Sequence, residues 1–147
     1  MADRTIEEIC TVGELMAYRK EVEMAVELAR HYGFTVAGRY DRSNACVLRG
    51  AEINFIRIPL GEAAQKGLPL LWSMLHEIGH VIDGAPCQLD LSLEERIPRE
   101  HRAWDNAWEL VEKHIPSMIG FREHFKAYRD KCLSSYSQAI RAKQVDS

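Results

Sequence analysis

A chain of 147 residues, 46% hydrophobic and 28% charged, can bury one ordinary core without disulfide or metal staples, and reads as a single domain over residues 1–147. Its net charge of −3, with 19 basic residues spread along the chain, gives no electrostatic reason to expect nucleic acid as a partner. No basic-then-apolar leader opens the chain and no apolar run approaches the roughly 20 residues that span a bilayer, so a soluble cytoplasmic protein with no membrane partner is expected.

In chain order, Thr11 and Glu14 resemble a capping box, after which Leu15, Val22, Val26 and Ala29 form an apolar face and Gly33 a stop; together they predict a long N-terminal helix. Residues 34–40 and 45–48 alternate weakly around Asp41-Arg42-Ser43-Asn44, a hairpin-turn composition, and residues 53–58 form a denser β-favouring run ended by Pro59. Three strands follow. The proline favours the sheet edge for the last of them, bordering the site described next, where an extended peptide could add by main-chain hydrogen bonds, over an interior position paired on both sides.

Pro69 suits a first helical turn, and Gly84 with Pro86 suits a stop, which predicts a helix over 69–83. Leu71, Leu75, Ile78 and Ile82 share one face of it, and Trp72, His76, His80 and Asp83 the other. Within it stands His76-Glu77-Ile78-Gly79-His80. Histidines four positions apart lie about 40° apart around the axis, so both rings project from one face at chelating distance. Glu77, about 100° from His76, points beside such a metal and can reach the water it activates without becoming a ligand. Gly79 lowers helix stability by roughly 1 kcal/mol against alanine, which fits either a close backbone or substrate contact or a tolerated glycine. Asp83 could orient an imidazole, bind metal itself, or stand exposed at the helix end.

Zinc in such a site needs a third protein ligand and one open position. Asp83, Glu94, Glu95, Glu100, His101, Asp105, Glu109, Glu112 and His114 are the candidates, and helical phase separates them. On a helix opened by Pro98 and running to about His114, Glu100 shares a face with Ala103, Ala107 and Val111, with Trp104 at its margin. Glu109 falls with Arg102, Asp105, Glu112 and Lys113 on the polar side. Small alanines one turn apart let this helix approach the histidine helix closely enough for Glu100 to reach the ion. His101 sits at the edge of the inward face, as a group behind the ligands or an exposed side chain, and His114 reads as a core or rim histidine. Residues 121–142 form a last helix, striped by Phe121, Phe125, Tyr128, Cys132, Leu133 and Tyr136, for core packing or a partner. Cys10, Cys46, Cys87 and Cys132 make no CxxC pair and read as free thiols. The expected fold is α+β, a small three-stranded twisted sheet packed with the long N-terminal helix, the HExxH helix, the glutamate helix and the C-terminal helix.

The HExxH of residues 76–80, followed by Glu100-His101-Arg102-Ala103 and Ala107, resembles the gluzincin arrangement and, within it, the compact ImmA/IrrE-type metallopeptidases, whose third ligand opens a Glu-x-x-Ala-x-x-x-Ala helix. The resemblance covers roughly residues 50–112. Trp104 stands where that family often has asparagine, and a Leu-Met-Pro segment is missing after the glutamate helix. The likeness implies a zinc peptidase with a twisted sheet above the metal helix and a protein or peptide substrate, often a helix-turn-helix transcriptional repressor. The chemistry expected is amide hydrolysis, with zinc held by His76, His80 and Glu100 and with Glu77 as general base. A stabiliser for the oxyanion stays open among Tyr40, Arg102, His114 and Tyr128. The contrasting expectation is a metal-stabilised regulatory or interaction module with little or no turnover. A non-peptidase hydrolase or a secreted effector is a further one.

Overall fold

The computed structural model describes residues 3–41, 45–49, 53–84 and 92–145. Two helices open the chain where one long helix was expected. α1 (Asp3–Val12) buries Ile6, Ile9 and Cys10, a 3₁₀ turn over Met16–Tyr18 follows, and α2 (Arg19–His31) buries Val22, Ala25, Val26 and Ala29 in the same core. Thr11 and Glu14 therefore do not cap a helix start; they lie at a helix end. Glu14 takes a left-handed φ of 58°, and the Leu15 N–H reaches back to the Cys10 carbonyl at 2.9 Å, the six-to-one bond of a Schellman stop. Leu15 and Cys10 are both buried in the core, as the apolar pairing of that motif requires.

β1 (Phe34–Arg39), β2 (Cys46–Arg49) and β3 (Asn54–Pro59) form a three-stranded mixed sheet in the order β1-β3-β2. β3 runs parallel to β1, with Phe34 opposite Asn54, and antiparallel to β2, with Cys46 opposite Arg57. Two expectations are corrected here. β1 and β2 are not hairpin partners, and residues 42–44 of the expected turn lie outside the described residues. β3 is the interior strand, not the edge. Placing the run richest in β-branched residues between two neighbours buries Ile56 and Ile58 against the helices. Pro59 is tolerated because it occupies the last position of the strand, where the Leu60 N–H resumes pairing with the Arg39 carbonyl at 2.7 Å.

α3 (Leu68–Asp83) has Pro69 in its first turn and ends at Gly84 in the left-handed conformation; Pro86 lies outside the described residues. It is the central helix and is buried nearly all round. Trp72, expected on the chemical face, is wholly enclosed, with its Nε1–H donated to His124 Nδ1 at 3.0 Å and its ring edge-on to Phe125 at 5.2 Å. Such an aromatic pair contributes about 0.5–1.5 kcal/mol beyond its buried area. Ile82, expected in the core, is exposed.

α4 (Leu93–His114) starts a turn earlier than Pro98. Ser92 accepts the Glu95 N–H at 3.2 Å, so the cap belongs to Ser92-x-x-Glu95, and Pro98 lies inside the helix, where it forfeits one intrahelical bond. A 3₁₀ stretch over Pro116–Phe121 leads to α5 (Arg122–Val145), which packs on α4 and α3. The result is the expected α+β class, a small sheet with helices. Among the described residues no helix is long and apolar enough to cross a membrane, and Cys10, Cys46 and Cys132 are free thiols. Cys87 lies outside the described residues.

Candidate metal centre

The centre is built where α3 and α4 approach most closely. Gly79 is the point of contact: a Cβ there would stand 2.1 Å from the Ala103 carbonyl oxygen, and Asn106 Nδ2 donates to the Gly79 carbonyl at 3.0 Å. Of the two readings of Gly79, the close backbone contact is the one realised. Ala103 and Ala107 are both buried, and at Gly79 the backbones of the two helices meet with no side chain between them. Glu100, one turn before Ala103, is thereby brought to the two histidines.

Glu100 is 2% exposed. Its Oε2 accepts from His76 Nε2 at 2.7 Å and lies 3.2 Å from His80 Nε2, while its Oε1 accepts the Tyr136 hydroxyl at 2.9 Å. Ligand atoms of His76, His80 and Glu100 all lie within 4.8 Å of one another, a buried group that could hold a metal ion. Bonds of about 2.0–2.2 Å to a tetrahedral ion put neighbouring ligand atoms roughly 3.3 Å apart. The separations from Glu100 Oε2 need adjust by only tenths of an ångström. The donor set, two imidazole nitrogens and one carboxylate oxygen, suits zinc.

Glu77 stays out of this set. It is buried beside His76, with Oε1 3.6 Å from Nδ1 on the far side of the ring from the Nε2 that faces Glu100. Trp104 stacks on His76 with ring centroids 4.2 Å apart and planes 12° from parallel, which fixes the plane of the imidazole. Burial, the largest single influence on His76, favours its neutral form, but hydrogen bonding to Glu100 and Glu77 outweighs it and raises the pKa to about 9. Burial likewise pushes Glu100 upward, and the hydrogen bonds from His76 and His80 more than reverse that, holding it well below the ordinary carboxylate range. Without metal, a protonated imidazole lies against the carboxylate that would otherwise face the cation.

The other acidic and imidazole candidates are elsewhere. Glu94, Glu95, His101, Asp105, Glu109, Glu112 and His114 are exposed, and Glu109 pairs with Lys113. Asp83 serves none of its expected roles: it accepts two hydrogen bonds from Arg102, at 2.8 and 3.3 Å. The four candidates for the oxyanion role are also placed. Arg102 is committed to Asp83, Tyr40 donates to Glu8 at 2.6 Å, His114 is exposed at the end of α4, and the Tyr128 hydroxyl lies 3.0 Å from Ser73 Oγ. The phenol that touches the metal group is Tyr136, read from sequence only as part of the α5 stripe. Its hydrogen bond spans 36 positions, so no local spacing announces it. Neither a protein-family model, nor a curated protein, nor a solved structure matches this chain.

Proposed function

We propose that this chain is a zinc-dependent metallopeptidase of the compact HExxH type it resembles, acting in the cytoplasm on a protein or peptide substrate, of which a transcriptional repressor is one example. His76, His80 and Glu100 are the metal ligands in this reading and Glu77 is the general base. The observation that carries it is the convergence of two imidazole nitrogens and a buried carboxylate oxygen, with a second carboxylate beside them but outside the set. Zinc, when bound, lowers the pKa of a water molecule and polarises a carbonyl. Glu77 takes the proton of the attacking water and delivers it to the leaving amine. Tyr136 holds the outer oxygen of Glu100, which keeps Oε2 turned to the histidines. With β3 interior, the open edge for an extended substrate passes to β2, which has a strand on one side only among the described residues.

A metal-stabilised interaction module is the second reading, favoured by one observation: side-chain exposure is only 13% for His76, 5% for His80 and 2% for Glu100, as in a closed structural site. The test is a comparison of new protein N-termini produced in cells by wild type and by Glu77→Gln. Loss of the general base typically lowers the rate about 10²- to 10⁴-fold. Cleavages made by wild type and missing with the variant are expected, with zinc content equal in both. Identical N-termini from the two proteins would leave the module as the better reading.

A further inference from the structure

A pocket of about 340 Å³ opens between the end of β3, the first turns of α3 and residues 128–135 of α5. Leu70 and Pro59 give it apolar wall, Ser73 and Tyr128 bring a pair of hydroxyls 3.0 Å apart, and the Ser135 hydroxyl is donated to the Cys132 carbonyl at 2.6 Å. Among the described residues that line it, Lys131 is the one charged side chain and there is no carboxylate. Nor does Lys131 have an ion-pair partner among the described residues. Two walls of the pocket continue into the metal centre. On α3, Ser73 precedes His76 and Glu77 by about one turn, roughly 5.4 Å along the axis, and on α5, Ser135 is followed by Tyr136, whose hydroxyl rests on Glu100. An extended chain advances about 3.3 Å per residue, so a peptide crossing the metal centre would set a side chain one or two positions from the scissile bond into this pocket.

We infer that the pocket is a substrate subsite selective for a carboxylate, held by the Lys131 ammonium with the hydroxyl pair of Ser73 and Tyr128 beside it. The carboxylate is an Asp or Glu side chain near the scissile bond or the free C-terminus of a peptide. The position along the substrate rests on the metallopeptidase reading above; the charge preference does not. A lysine or arginine side chain would meet Lys131 with like charge, and a purely apolar one would give the cation no counter-charge.

The test uses zinc-loaded Glu77→Gln protein, which does not consume its ligand, and fluorescent Ala/Ser peptides read by anisotropy. One peptide carries a single central Glu, a second Gln in its place and a third Lys, and the Gln peptide is prepared with a free and with an amidated C-terminus. Either the Glu peptide or the free C-terminus should bind about three- to ten-fold tighter than its neutral counterpart, and which one does separates the two sources of the carboxylate. Lys131→Met should abolish the preference, and Lys131→Glu should turn it toward the Lys peptide. Equal affinity for all peptides, no binding of any, or a preference unchanged by Lys131→Met would overturn the inference. The wild-type protein incubated with the same peptides decides the other question separately. Peptides bound with the expected preference yet left intact support the subsite and remove the peptidase reading. Cleavage indifferent to charge supports the peptidase and removes the subsite.

Discussion

Tyr136 donates to the one oxygen of Glu100 that does not face the histidines, and this makes it the residue whose loss is most informative. A buried carboxylate is costly to hold in one orientation unless each oxygen has a donor. Tyr136→Phe keeps the ring and its packing and removes one hydrogen bond. Groups that orient a metal ligand in this way typically account for about 10- to 100-fold in metal affinity, so zinc should bind that much more weakly while the urea midpoint of the metal-free protein moves little. Competition with a chromophoric chelator measures it. An affinity equal to wild type would mean that the Tyr136 hydrogen bond does not orient Glu100. Glu100 itself was legible in the sequence because phase on one helix, set against Ala103 and Ala107, separates it from Glu109. Tyr136 was not, because its partner is fixed only once α5 is docked.

Gly79 acts at the level of elements, since its missing Cβ sets the distance between α3 and α4. In Gly79→Ala the added methyl would fall 2.1 Å from the Ala103 carbonyl, a contact with backbone that no rotamer relieves. Alanine gains about 1 kcal/mol in helix propensity, but overpacking of this kind costs typically 1–3 kcal/mol and here also moves Glu100 away from the histidines. Net destabilisation with weakened zinc binding is expected, read from denaturant midpoints with and without zinc; a more stable variant with full zinc affinity would refute the close-contact account. The elements themselves show what local pattern can and cannot decide. The boundaries of α3 were legible because Pro69 and Gly84 act within one turn. Thr11 and Glu14 misled because a Ser/Thr-x-x-Glu spacing carries no direction, and the same stretch closes α1 through the Leu15 to Cys10 bond. The expected start of α4 fell late because Pro98 suits a first helical turn, whereas the helix is capped at Ser92 and carries the proline inside it. For β3 the terminal proline indicated an edge, yet strand order depends on pairing between segments far apart in sequence, and burying Ile56 and Ile58 decided it.

At the scale of the whole molecule, the centre joins α3, α4 and α5, so metal and proton both act on global stability. In the metal-free protein the pKa of His76 is raised from 6.5 to about 9, so its contribution is fully present below 6.5 and is lost as pH rises through about 9. Glu100, depressed below its ordinary 4.5, contributes above that pH and loses its contribution as pH falls to its lowered value. Metal-free stability from this site therefore holds between about 4.5 and 6.5 and declines toward pH 9. Zinc at this site would require neutral imidazoles, so it would compete with the proton on His76 and bind more tightly as pH rises. A ligand present at a hundredfold excess over its Kd adds about 2.7 kcal/mol, a shift in Tm on the order of ten degrees for a chain of this size. The difference in Tm between zinc-buffered and chelator-treated protein should thus widen from pH 6.5 to pH 9, mainly because the metal-free protein weakens. Calorimetry across that range measures it. A constant difference would mean that His76 is already neutral without metal, and that the short contact to Glu100 is not an ion pair.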